Sequence, residues 1–289
     1  MQILEITAPV FILAAVGFGW ARRGAPYDIA FATRLGTGLA MPCLVFSTLV
    51  RAEISPAAFR DMATATLLLY GSFAVVFGIG YWITGMRQRT FLMPTVMNNA
   101  GNLGLGVAFY AFGPDGLALA IVLFAIMVSI QFSIGVWFVA GKGRRGDALR
   151  QPMIWAAVFG VAFTMAGIRP PVFIDNSIAL IGQMGIPLMI LTLGVSISRI
   201  KVGSIARAVV IALMRYVTAL TIAIGLATAL GLTGLVFSIL VLQAIMPAPV
   251  TNYLIALQYD AEPEEVAGLV VVSTALSAFL VPLTLAFLI

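Results

Sequence analysis

Over residues 94–106 the chain reads PTVMNNAGNLGLG, which sets Asn98, Asn99 and Asn102 beside Pro94, Gly101 and Gly104 in an otherwise apolar run. A second string, MPAPVTNY over 246–253, carries Pro247, Pro249, Thr251, Asn252 and Tyr253 in the middle of another. Proline lacks a donor and obstructs the preceding turn, and glycine and asparagine readily leave helical φ/ψ, so both strings predict broken helices. A helix that restarts after such a break presents unpaired N–H groups and the positive end of its dipole, which suits a carboxylate or another anion. The amides add neutral donors and acceptors. This is chemistry for binding. A pair of proline kinks bridged by polar side chains is the plainer alternative, but a kink needs one proline and not three amides beside it.

Other chemistry is scarce. The chain has no histidine and a single cysteine, Cys43, so metal sites and Ser-His or Cys-His nucleophiles lose their commonest members and no intramolecular disulfide can form. No Asp or Glu lies deep in an apolar run, so a proton relay has no obvious carrier. Arg215 is the most deeply embedded charge, and Arg34 lies nearer a boundary; both are candidate counter-charges for an anion, although snorkelling or pairing within a bundle would also accommodate them. Ser129 and Ser133, four residues apart, share one helical face.

The elements that would hold these residues are membrane helices. Of 289 residues, 62% are hydrophobic and 9% charged, too apolar for a water-soluble fold. A helix needs about 20 apolar residues to cross the hydrocarbon layer, and only a helix satisfies its own backbone there. Ten such runs are expected, at 4–20, 29–50, 62–85, 92–112, 116–140, 152–168, 176–198, 205–231, 235–257 and 265–289. The first is read as a retained span, since Met1 to Glu5 includes no basic residue and the run ends at Arg22-Arg23. The net charge of +5 is spread between the runs, as membrane topology requires, so nucleic acid is not an expected partner and membrane lipids are.

Basic residues favour the cytoplasmic side. Arg22, Arg23, Arg87, Arg89, Lys142, Arg144, Arg145, Arg150, Arg199, Lys201 and Arg207 fall on one side, against Arg51, Arg60 and Arg169 on the other. Both termini are then extracytoplasmic, and the polar segment 141–151 is a cytoplasmic linker between halves 1–140 and 152–289. Five runs per half make any duplication an inverted one. Two alignments support it: LAMPCLVFSTL over 39–49 with MGIPLMILTLG over 184–194, and MPTVMNN over 93–99 with MPAPVTN over 246–252. The expected fold is thus an all-α membrane protein of ten transmembrane helices, two inverted repeats of five, with broken crossover helices 4 and 9.

Together with APVFILAAVGFGWARRG near the start and MPAPVTNYLIALQY near the end, these motifs resemble the auxin efflux carrier family over essentially the whole chain. The resemblance implies a fold related to the bile acid:sodium symporters. It divides the helices into a scaffold (1, 2, 6 and 7) and a moving core (3–5 and 8–10). It also implies carriage of small carboxylates, auxins in plant members and malonate-like dicarboxylates in bacterial ones. Matched residue by residue, Asn98, Asn99, Asn102 and Asn252 correspond to substrate-contacting crossover amides, with Thr251 and Tyr253 adjoining, and Pro94, Gly101, Gly104, Pro247 and Pro249 to the crossover hinge. Ser129, Ser133 and Gln258 resemble ligands of a sodium ion, although the acidic residue that sodium-coupled relatives supply beside the second crossover is missing here. The compact chain resembles bacterial members and is expected in the bacterial inner membrane.

The expected function is transport of a small organic anion by alternating access, driven by potential or by coupling, with no cofactor beyond a candidate sodium ion. A passive anion channel and a sodium-coupled carboxylate or bile-acid-like symporter are the alternatives. An enzyme is not expected, because no nucleophile or acid–base pair converges. A homodimer remains a candidate assembly.

Overall fold

The computed structural model describes residues 2–52, 55–140, 152–200 and 203–289. The linker expected over 141–151, with Lys142, Arg144, Arg145 and Arg150, and also Lys201 lie outside the described residues. Every regular element among the described residues is helical.

The helices are α1 (Gln2–Arg22), α2 (Ile29–Leu35), α3 (Met41–Arg51), α4 (Pro56–Thr84), α5 (Gln88–Val96), α6 (Leu105–Ile130), α7 (Val136–Ala140), α8 (Pro152–Met165), α9 (Val172–Gln183), α10 (Gly185–Arg199), α11 (Ile205–Ala229), α12 (Gly234–Ala244), α13 (Val250–Gln258) and α14 (Pro263–Leu288). Single π turns at Gly36–Ala40, Ala100–Gly104 and Gln131–Gly135 lead from α2 into α3, into α6, and from α6 into α7. Side-chain oxygens start three of the helices: Asp28 accepts from the Phe31 N–H, Ser55 from Ala58 and Ser204 from Arg207.

Among the described residues, six stretches are long and apolar enough to cross a membrane, and shorter apolar helices accompany them. One stretch, Gln88–Ala140, has 53 residues; at about 1.5 Å per residue it far exceeds the roughly 30 Å of hydrocarbon and must turn back within itself. A loop was expected near 113–115. The chain does break there: Gly113 (φ 67°, ψ −160°) leaves helical φ/ψ and Pro114 follows, so two helical runs of α6 meet at a kink with no longer loop between them, because glycine tolerates the positive φ and proline sets the next turn. The stretch 235–257 is not one helix but two short ones, α12 and α13, joined by an extended segment.

Small residues set how closely helices approach. A side chain at Gly17 would collide with the Leu191 carbonyl, and one at Gly194 with the Ala14 carbonyl, so α1 and α10 lie backbone to backbone. Gly182 of α9 similarly leaves room for the Leu44 backbone of α3, which a Cβ would meet at 2.8 Å, and Gly160 of α8 faces Leu49. Thus α1 pairs with α10 and α3 with α8 and α9. A second set packs together: α4 on α5 and α6, α11 on α12 and α14, α13 on α14, and α4 on α11. The buried apolar core runs through this second set, from Leu69 and Phe73 through Leu103, Leu119 and Leu240 to Leu269.

Candidate functional site

The two interrupted segments meet. Past Pro94, α5 continues to Val96, and the chain then leaves the helix at 97–99; proline removes a donor but does not by itself end the helix. The second interruption, 246–249, runs across it. The Asn99 N–H donates to the Pro247 carbonyl at 2.7 Å, which joins the two interruptions through backbone atoms. Pro249 then caps α13, whose Val250 and Thr251 N–H groups precede the first intrahelical bond, and Asn99 caps the turn into α6 by accepting from the Asn102 N–H at 3.2 Å. Two helix starts therefore face one point, each contributing a fraction of a positive charge.

At that point lies a cavity of about 70 Å³ lined by Asn98, Asn99, Asn102, Gln131, Pro249 and Thr251, with methionine and phenylalanine walls. Asn102, Met189, Val250 and Thr251 also line a vestibule of about 140 Å³ that continues along Thr192, Ser196 and Tyr253 to Arg199. Since Arg199 ends α10 on the side where the basic residues gather, the vestibule opens toward the expected cytoplasmic face. A separate crevice of about 440 Å³, lined by Arg51, Tyr110 and Pro187, opens at the opposite end and shares no lining residue with the crossover cavity.

Hydrogen bonds tie the amides to both interruptions. Tyr70 donates to Asn98 Oδ1 at 2.8 Å, and Asn98 Nδ2 donates to the Gln243 carbonyl at 2.6 Å. Gln243 Nε2 in turn donates to the Gly104 carbonyl at 2.9 Å. Gln131 Nε2 reaches Thr251 Oγ1 at 2.9 Å and Asn252 Oδ1 at 3.0 Å, and Asn252 Nδ2 lies 3.4 Å from the Met93 carbonyl. Asn99 Nδ2 differs: it is buried and has no hydrogen-bond partner among the described residues. A buried donor left unpaired costs about 1–3 kcal/mol, so its placement at the cavity calls for a partner that supplies an acceptor.

The structure brings some of the expected residues together and not others. Asn98, Asn99, Asn102 and Thr251 line the cavity, and Tyr253 lines the vestibule. Asn252 lines neither, its amide being engaged by Gln131 and Met93. Gly101 and Gly104 serve close approach: a side chain at Gly101 would meet the Phe124 ring at 2.6 Å, one at Gly104 would strike Gln243, and Gly104 has ordinary helical angles. Ser129 and Ser133 donate to their own helix, at the Ala125 and Ser129 carbonyls, and neither lines the cavity. Gln258 and Arg34 are exposed, away from it. Arg215 is 2% exposed but lies behind the crossing, donating from Nε to the Thr95 carbonyl at 3.0 Å. Gln131, Gln243 and Tyr70 were not singled out from the sequence, although polar residues in the middle of apolar runs are signal enough.

Residues 146–285 match the family described as membrane transport protein. The chain is 25% identical to an uncharacterized transporter of Methanothermobacter thermautotrophicus, over 98% of this chain and 97% of that protein. It is 22% identical to an uncharacterized transporter of Methanocaldococcus jannaschii over 85% of each chain. Over 48% of its length it is 24% identical to auxin efflux carrier component 1 of Arabidopsis thaliana, spanning 23% of that protein.

Proposed function

We propose that this chain, which belongs to the membrane transport protein family of the auxin efflux carrier type and is a transporter and not an enzyme, carries a compact organic carboxylate through the crossover cavity. The observation that carries the reading is the unpaired Asn99 Nδ2, set between two helix starts that favour a negative charge. Asn102 and Thr251 would complete the contact, while Asn98, Asn252 and Gln131 hold them in place. A water fills about 10–15 Å³ of such volume, so a cavity of about 70 Å³ suits a short mono- or dicarboxylate such as malonate better than a sterol-sized anion.

The mechanism we favour is alternating access by two inverted repeats of five spans. The packing supports the duplication, because partners recur between halves: α1 with α10 and α8 with α3, α4 with α6 and α11 with α14, α1 with α14 and α8 with α6. The α1, α2, α3, α8, α9 and α10 group would be the scaffold, and the group built on the crossing would move against it. In the conformation described here the cavity continues into the vestibule at the basic end, which corresponds to an inward-facing form. An anion leaving a cell gains about 2.3 kcal/mol per charge per 100 mV from an inside-negative potential, so efflux needs no coupled ion. The bacterial inner membrane, with both termini outside, is the setting this orientation implies.

The test is flux of labelled malonate, and of a panel of mono- and dicarboxylates, in liposomes with and without sodium and membrane potential. Saturable flux that responds to voltage, needs no sodium and falls at least tenfold in Asn99→Ala is expected. Sodium dependence would replace uniport by symport. Flux that never saturates would make the protein a channel, and no flux of any carboxylate would remove the anion assignment.

A further inference from the structure

Arg215 is a full cation buried in the middle of α11 with no carboxylate to balance it among the described residues. An isolated charge in such a place is costly, so something must stabilise it. Nε donates to the carbonyl of Thr95, one residue before the end of α5, and Nη2 is buried without a partner. Tyr70, whose hydroxyl holds Asn98, is on α4, which packs on α11, and is a titratable neighbour of the guanidinium, as is Tyr81.

The end of a half-helix offsets part of this cost. α5 stops at Val96 and α12 at Ala244, and α11 packs on both. The stop of α5 leaves carbonyls without intrahelical partners and a partial negative charge of about one half, and one of those carbonyls, that of Thr95, accepts from the guanidinium. Starts and stops of the interrupted helices thus separate: the starts of α13 and of the turn into α6 face the cavity, and Arg215 holds a stop behind it.

We infer that Arg215 is a positioning residue, a resident cation that anchors the end of α5 and thereby sets where Asn98 and Asn99 stand, and not the counter-charge of the substrate. It acts on every substrate alike, because it does not line the cavity or the vestibule. The inference uses the transport reading only for its kinetic arm.

The experiment compares wild type, Arg215→Lys and Arg215→Gln in liposomes, measuring kcat and KM for a monocarboxylate and for malonate, with thermal melting alongside. Expected is a fall in kcat of at least tenfold in Arg215→Gln, partly restored in Arg215→Lys, by the same factor for both anions and with KM changed less than twofold. A KM that rises more for the dianion than the monoanion would make Arg215 a counter-charge and overturn the inference, as would unchanged kcat or a Lys variant no better than Gln. A second measurement needs no transport. On a Cys43→Ser background, the thiol of Asn99→Cys is titrated with a small methanethiosulfonate, with Arg215 present and with Arg215→Gln. A change in rate of at least fivefold supports the anchoring role and an unchanged rate overturns it. Absence of carboxylate flux in wild type would sink the transport reading and leave this second measurement to decide the first.

Discussion

At the scale of single residues, the site consists of neutral amides whose bonds are nearly all satisfied, with one donor held in reserve. Gln131 shows what the satisfied ones do. Its Nε2 joins Thr251, which lines the cavity, to Asn252, which does not. Gln131→Met keeps the volume and removes both bonds, each worth about 0.5–1.5 kcal/mol, so Thr251 should lose its fixed orientation. The expected outcome in the liposome assay is a KM at least fivefold higher, with a melting temperature a few degrees lower. An unchanged KM would show that Thr251 is held without it. The amides at 98, 99, 102 and 252 were legible in the sequence because amides are rare in apolar runs. That Asn252 would be consumed by Gln131 and Met93 was not, because hydrogen-bond partners far apart in the chain leave no local pattern.

Elements tell a similar story. Helix existence followed from hydropathy, and so did the break at Gly113 and Pro114; what hydropathy did not show is that a single positive φ suffices to separate the two helical runs there. Gly101 and Gly104 read as a hinge, whereas the neighbouring Phe124 and Gln243 side chains are what exclude a larger residue there. Close packing also gives a controlled test. Gly17 and Gly19 lie on the same helix, but a side chain at Gly17 would overlap Leu191 whereas nothing lies within 4 Å of one at Gly19. Gly17→Val should force α1 from α10 and cost about 1–3 kcal/mol or more, read as a clear loss of melting temperature in detergent, while Gly19→Val should leave it nearly unchanged. Equal effects would mean the two helices do not lie backbone to backbone.

For the whole molecule, the expected division into halves rested on two short alignments and an odd number of runs per half. Neither locates the opening, because which cavity joins the crossing depends on one conformation and not on composition. If α10 and α13 move apart during the cycle, joining them should stop it. Ser196 and Tyr253 face the same vestibule from those two helices. A Ser196→Cys and Tyr253→Cys pair, on a Cys43→Ser background and bridged by a short bifunctional maleimide, should lose nearly all flux. Recovery is expected for either single-cysteine variant treated the same way. Flux that persists in the bridged protein would place the moving boundary elsewhere.

The bond from the Asn99 N–H to the Pro247 carbonyl has a further consequence. It belongs to the main chain, so at residue 99 only proline, which has no N–H, would abolish the donor, while side chains that line the cavity can change without removing it. The crossing and the lining are therefore separable in inheritance. Descendants of such a chain can drift from one solute to another by single replacements at Asn102 or Thr251 without passing through an ancestor whose two halves have come undone.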